Sequence, residues 1–348
     1  MMKKFIRFLK CSLIVALLNI TTLSFAEEQS PLSQRTDVNA FIQEMVKDYN
    51  FNEQQLITLF NQAHINARSI ELTTTPYEAK PWYTYRKHFI TQARIDNGVI
   101  FWHKYHEQFQ TVSERTGIPP EILVAIVGVE THYGKERGNF SAMDALTSLA
   151  FDFPRRAAFF RKELREYLIL CREQGWDPLT IKSSYAGALG QPQFMPSSYR
   201  YYAVSYDGKS KPNLFSNEND VIASIGNYFK KHGWQKDQPI AVIASVKGIK
   251  FNELPPQDKD GRIIKPNLTL KEFANYGVLP MQPHLEDLSA ILMPFQLENG
   301  TEYWLGFTNF YMITRYNTSK LYALAVYQLA GDIKVAYNKQ YPTSKLSS

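Results

Sequence analysis

Glu130 places a carboxyl group on the apolar face of the segment Gly117-Ile118-Pro119-Pro120-Glu121-Ile122-Leu123-Val124-Ala125-Ile126-Val127-Gly128-Val129-Glu130-Thr131-His132-Tyr133-Gly134. Leu123, Ile126 and Val127 precede it by seven, four and three residues, so all four share one helical face. Prolines open that helix and Gly134 can close it as a left-handed cap, which sets Glu130 in the last turn. Burial and the negative end of the helix dipole both disfavour a charged carboxylate, so the pattern predicts a raised pKa and a group able to donate a proton. A protonated carboxyl in a cleft suits cleavage of a glycosidic bond. The same residue also reads as a structural carboxylate that caps a neighbouring segment or pairs with Arg137, Arg155 or Arg156.

Glycoside hydrolysis ordinarily uses two carboxylates. Asp144, in Ser141-Ala142-Met143-Asp144-Ala145-Leu146, reads equally as a helix-start residue, and Asp152 precedes Phe153-Pro154 in a loop. Neither stands out as the second catalytic group. One carboxylate can serve as acid and then as base, provided that the substrate brings its own nucleophile. His103 and His106 beside Glu107 have the spacing of a metal pair, but histidines on the solvent face of a long helix have the same spacing, and no metal site is assigned.

The elements that must position Glu130 are mostly helical. Val38, Phe41, Ile42, Met45, Val46 and Tyr49 recur at helical spacing behind a cap at Asp37. A second helix follows Asn52, and a third, longer one is predicted from near Asp96 with Val99, Ile100, Phe101, Tyr105 and Phe109, after a connection containing Pro76 and Pro81. From Ser113 to His232 helical patterns alternate with loops; Ser183 to Ser198 is rich in small residues, suited either to backbone approach by a ligand or to a tight turn. Beyond Gln238 the runs Ile240 to Val246, Ala290 to Gln296 and Thr301 to Phe307 are β-prone, and Asn299-Gly300 marks a hairpin. Ser319 to Ala330 returns to helix, with Gly331 as its predicted close. The expected class is α+β, mainly α.

With 348 residues, 44% of them hydrophobic, the chain can bury a real core and is not a disordered protein. Residues 1–26 read as a secretory signal peptide: Lys3, Lys4, Arg7 and Lys10, an apolar run from Ser12 to Leu18, then Ser24-Phe25-Ala26 at the cleavage point. Asn19, Thr21 and Thr22 interrupt the run before it could span a bilayer, and Cys11 follows Leu9-Lys10 rather than the small residues of a lipidation signal. The mature protein is therefore expected to be soluble and periplasmic, with residues 27–36 as a flexible lead-in. Four of the 39 basic residues lie in the leader and none of the 33 acidic ones does, so the mature charge is +2 and gives no reason to expect a nucleic-acid partner. Cys171 is then the single remaining cysteine, read as a buried inert thiol.

Four ordered blocks carry a family resemblance: Val129-Glu130-Thr131-His132-Tyr133-Gly134, Phe151-Asp152-Phe153-Pro154-Arg155-Arg156-Ala157, Gly187 to Ser198 (GALGQPQFMPSS), and Asn309-Phe310-Tyr311-Met312-Ile313-Thr314-Arg315-Tyr316-Asn317. Together they resemble the membrane-bound lytic murein transglycosylase B family over nearly all of the mature chain. The resemblance implies a lysozyme-like core at 112–235 completed by 304–318, a helical domain at 37–111 on which the C-terminal helix 319–348 packs, and a small inserted β subdomain at 236–303. It implies an enzyme that cleaves peptidoglycan between N-acetylmuramic acid and N-acetylglucosamine without water, with Glu130 as its single acid and base. By the same carry-over Ser184 hydrogen-bonds and orients Glu130, and Gln193, Phe194, Tyr316, Asn317 and Tyr322 line the sugar subsites. Tyr85 and Tyr228 match further cleft positions, and Arg155 and Arg156 a pair that meets a lactyl or peptide-stem carboxylate. The implied partners are glycan strands, with cell-wall synthesis proteins left open; the protein is expected to be monomeric and to need no cofactor. Where some relatives carry a calcium loop, Lys209 and Lys211 replace oxygen ligands, so calcium is not expected. A lysozyme-type hydrolase and an idle cell-wall scaffold are the rival readings.

Overall fold

Apolar residues recurring every three to four positions produce a chain of short helices, each burying one stripe. The computed structural model describes residues 31–74, 80–283 and 286–342, so the leader at 1–26 lies outside it. The first helices are α1 (Thr36–Tyr49), α2 (Glu53–Gln62), α3 (Ala67–Thr74), α4 (Trp82–Phe89), α5 (Gln92–Lys104) and α6 (His106–Thr116). Next come α7 (Pro120–Thr131), β1 (Phe140–Ser141), α8 (Ala142–Phe151), α9 (Ala157–Gln174), β2 (Lys182–Ser183), α10 (Pro196–Tyr202) and α11 (Glu218–His232). The chain then enters β3 (Ala241–Val246), β4 (Asp258–Lys259), β5 (Arg262–Ile263), β6 (Leu268–Thr269), α12 (Leu270–Asn275), β7 (Val278–Pro280), β8 (Ser289–Gln296) and β9 (Thr301–Gly306), and closes with α13 (Thr308–Tyr316) and α14 (Lys320–Gln340).

Helix α7 is the axis of the core. Ile122 through Val129 are all buried, and α5, α6, α11 and α14 pack around it. Hydrophobic on every side, it can only be stable when covered all round. The sheet runs β6-β8-β9-β3-β7, antiparallel throughout. On β8, Ala290 and Leu292 join a small cluster with Val242, Phe273 and Leu305, while Ile291, Met293 and Phe295 on the opposite face join the main core. Coverage of both faces explains why this strand reads as a continuous apolar run. The hairpin from β8 to β9 turns at Leu297–Gly300, with Gly300 at φ 90 and Leu297 donating to the Gly300 carbonyl at 3.0 Å.

Four local expectations change. The flexible lead-in is ordered from Pro31 onward: Leu32–Gln34 form a 3-10 turn, and Arg35 reaches Asp152 at 2.8 Å. The long third helix is two, broken at Tyr105 (φ −116, ψ 30), and Ile100 is exposed rather than buried. The connection before it contains α3 and α4. Gly331 does not close the last helix; α14 runs to Gln340 because Ile333 and Tyr337 beyond it are buried. Among the described residues no helix is long and apolar enough to cross a membrane.

Candidate active site

Glu130 is half-buried in the last turn of α7. The helix ends one residue later, when His132, Tyr133 and Gly134 all adopt left-handed backbone (φ 50, 60 and 83). This unwinding throws the Tyr133 ring back between α5 and α7, where its hydroxyl donates to the Arg94 carbonyl at 2.7 Å. Gly98 and Gly128 make room for it: a Cβ at either would stand 2.5 Å from the Tyr133 hydroxyl oxygen. Thr131 ties the same helix end to the loop of small residues, its hydroxyl donating to the Gln191 carbonyl at 2.9 Å.

The wall facing Glu130 comes from the far end of the chain. The Tyr322 hydroxyl, on the first turn of α14, donates to Oε1 of Glu130 at 2.6 Å. Tyr316, at the end of α13, lies parallel to Tyr322 (centroids 6.4 Å apart, 8° between planes) and donates to the Pro192 carbonyl at 2.6 Å, pinning the loop. Burial pushes both hydroxyls well above the ordinary tyrosine value, and the Glu130 charge adds to the shift, so both stay protonated donors. Ser319 caps α14 by accepting from the amides of Leu321 and Tyr322, and Asn317 in turn accepts from the Ser319 amide at 3.0 Å.

The residues assigned to the sugar subsites therefore divide. Gln193 (φ 50) is half-buried and holds the loop through the carbonyls of Gly190 (2.8 Å) and Arg137 (3.2 Å); Tyr316 and Asn317 are also half-buried. Phe194, Tyr228 and Tyr322 are buried, at 2%, 6% and 2% exposure, and Tyr85 at 1%. None of these four can offer a sugar an open face. Tyr322 meets Glu130 through its hydroxyl, while Phe194 packs on Tyr228 at 5.6 Å and Tyr316 at 5.7 Å, and Tyr85 packs on Phe89 at 4.7 Å. Ser184 does not hydrogen-bond Glu130 here; its hydroxyl accepts from the amides of Ala186 and Ala188 and shapes its own loop. The contact expected of Ser184 is made by Tyr322, which no local sequence signal could have paired with Glu130. Arg155 and Arg156 are exposed on a 3-10 turn at Pro154–Arg156, with the Arg156 guanidinium over Phe159 at 4.3 Å.

The other carboxylates near this sequence region have structural duties. Asp144 accepts from the His64 amide at 2.9 Å, and Asp152 binds Arg35. His103 stacks on Tyr341 at 3.9 Å, and no cluster of three metal-ligating side chains occurs among the described residues. Asp207, in the stretch where calcium was not expected, turns its carboxylate onto the amides of Lys209 and Ser210. Cys171 is buried and its thiol is pushed up to about 12 by desolvation.

Residues 33–331 match the transglycosylase SLT domain. Membrane-bound lytic murein transglycosylase B of Escherichia coli (strain K12) is 39% identical over 308 residues, covering 85% of this chain and 82% of that protein. The catenated lytic transglycosylase SltB1 from Pseudomonas aeruginosa superposes with a TM-score of 0.80 at 43% identity, covering 87% of this chain and 98% of the other. SltB3 from Pseudomonas aeruginosa, solved in complex with NAG-anhNAM-pentapeptide, gives a TM-score of 0.72 at 26% identity over 85% of this chain and 78% of its own. On this match, and on a mainly helical fold with a small sheet, the chain belongs to the transglycosylase SLT domain family, as a lytic transglycosylase of murein with a lysozyme-like fold.

Proposed function

We propose that Glu130 is the single general acid and base of a reaction that cleaves the bond from N-acetylmuramic acid to N-acetylglucosamine and leaves a 1,6-anhydro end. Protonated Glu130 gives its proton to the bridging oxygen, which departs as the 4-hydroxyl of N-acetylglucosamine. The 6-hydroxyl of the same muramic acid attacks the anomeric carbon and returns its proton to Glu130, so no water is consumed. The observation that carries this reading is the constellation at Glu130: a carboxyl on an apolar helix, held by a buried tyrosine, while Asp144 and Asp152 are committed elsewhere. The bound ligand of SltB3, named with an anhydro sugar, supports the same chemistry.

Gln193, Tyr316 and Asn317 are half-buried and are assigned to the sugar subsites, with Ser184 shaping the loop that carries Gln193 and that Tyr316 pins through Pro192. Arg155 and Arg156 are assigned to substrate carboxylates. The leader at 1–26 directs export, with cleavage after Ala26 and action on the wall from the periplasm. Glu130→Gln tests the assignment: the variant should fold with wild-type stability and lose roughly a thousandfold or more in muropeptide release. Retention of a tenth of the activity would move the acid elsewhere.

A further inference from the structure

Two cavities open on either side of Trp176, just beyond the end of α9. The first, of about 600 Å³, lies between α2 and α9 and is floored by Leu56, Leu168 and Cys171, all buried. The second, of about 560 Å³, continues past Trp176 along Gln174, Lys182 and Asn213 to Phe215. Trp176 is half-buried and meets the rings of Tyr199 and Phe215 nearly at right angles, with centroids 5.5 Å away in both cases. Its indole N–H has no partner among the described residues. The second cavity also borders the loop that carries Gln193. The Phe215 carbonyl accepts from the Arg137 guanidinium, the Arg137 carbonyl accepts from Gln193 at 3.2 Å, and the Leu214 carbonyl accepts from the Gln191 amide at 2.8 Å. By these contacts Gln193, Phe215, Trp176 and the cavity beside α2 follow one another in series.

The chemistry of the rim limits what can lie there. Gln54, Gln55 and Gln62 bring side-chain amides to the first cavity, and none of the three amides has a partner among the described residues. Arg172 is its single cation and is already engaged: the guanidinium donates to the Tyr49 carbonyl at 2.7 Å and lies over the Phe51 ring at 4.2 Å. Although the chain carries 33 acidic residues, no carboxylate lines either cavity among the described residues, so a cationic ligand finds no counter-charge there. An anion finds none beside α2. What remains is a neutral ligand with both donors and acceptors, because an amide offers both, set against a ring that is apolar in its body and polar at one edge. Hydroxyl and N-acetyl groups on a pyranose ring fit that description, and the first cavity is of the size that small-molecule sites occupy.

We infer that the groove across Trp176 holds a run of the glycan strand away from the cleavage point, with N-acetylated sugars against Trp176 and the glutamines of α2. This rests on the reading of murein strands as the substrate at Glu130. A second contact on the same polymer raises the effective concentration of strand at the cleavage site without altering the chemistry there. Long strands, which reach both places, are therefore bound more tightly than short ones.

The test measures dissociation constants for long, amidase-stripped strands and for a tetrasaccharide of the same repeat, in a Glu130→Gln background so that the strands survive. Trp176→Phe keeps a packed ring and removes the indole N–H, while Gln55→Ala/Gln62→Ala alters only exposed positions of α2 and so serves even if the first variant folds poorly. Each should weaken binding of long strands about tenfold and leave the tetrasaccharide within about twofold. Unchanged affinity for long strands overturns the inference. So does a parallel loss on both ligands, which assigns these residues to the cleft or to folding, and so does a loss confined to peptide-bearing strands, which gives the groove to the stems. Wild-type protein that neither bound nor cleaved long strands would sink the reading of Glu130 and this inference with it, whereas cleavage with an unaltered dependence on length sinks this inference alone.

Discussion

Tyr322 and Glu130 stand 192 residues apart in the chain and share a 2.6 Å hydrogen bond, donated by the tyrosine. Glu130 is presented by α7 and held from α14, so this arrangement exists only once the C-terminal helix has docked on the core. The bond strengthens when the Glu130 carboxyl gives up its proton, since a hydrogen bond to a carboxylate is stronger than one between neutral groups, and burial keeps the Tyr322 proton in place to make it.

Tyr322→Phe removes that bond and little volume. Its kcat should fall roughly 10- to 100-fold, in keeping with about 1.5–3 kcal/mol for a hydrogen bond to a charged group, while KM changes little. Steady-state kinetics on soluble glycan strands measure this. A kcat within twofold of wild type would mean that the geometry of Glu130 does not depend on the tyrosine.

Two helical glycines should respond to alanine with opposite signs. A Cβ on Gly128 would meet the Tyr133 ring at 2.5–2.9 Å, two residues before Glu130, and overpacking of this kind costs about 1–3 kcal/mol. A Cβ on Gly331 meets nothing, so alanine there should stabilise α14 by about 0.5–1 kcal/mol. Denaturant unfolding of the two variants checks the pair; stabilisation by Gly128→Ala would refute the close packing of Tyr133.

Glu163 is 2% exposed, and burial raises its pKa above the ordinary 4.5 despite two hydrogen bonds from Ser197. The folded state therefore holds this proton more tightly than the unfolded chain. The associated stability is present below the ordinary carboxylate value and is lost as pH rises through the raised folded value. Glu163→Gln keeps an acceptor for the Ser197 amide and abolishes the titration. Thermal unfolding should show the variant gaining on wild type as pH rises above the ordinary carboxylate value; a change in the opposite direction would contradict the assignment.

The sequence alone placed Glu130 at the end of an apolar helix but did not show what holds its carboxyl. Period and capping patterns near Glu130 placed α7 and its last turn, and Asn299-Gly300 marked the β8–β9 turn, because these signals are local. The break at Tyr105 had no such signal: the surrounding residues are neither proline nor glycine, and the bend accompanies stacking of Trp102 on Tyr337 at 4.2 Å, a distant pairing. Gly331 misled for the converse reason, since burial of Ile333 and Tyr337 carries the helix through it. Around Glu130, family likeness named aromatic residues whose burial no local pattern gives. Tyr322 holds Glu130, Phe194, Tyr228 and Tyr85 are buried, and Ser184 shapes a loop.

The most direct test of the central claim is the chemistry of the product. Purified mature protein digesting isolated sacculi should release muropeptides that are mainly one water lighter than their hydrated counterparts and resist borohydride reduction, because an anhydro ring has no reducing end. Mass analysis before and after reduction reads both properties in one sample. Mainly hydrated, reducible muropeptides would show that water, not the 6-hydroxyl, is the nucleophile, and would contradict Glu130 as the single acid and base of an anhydro-forming reaction.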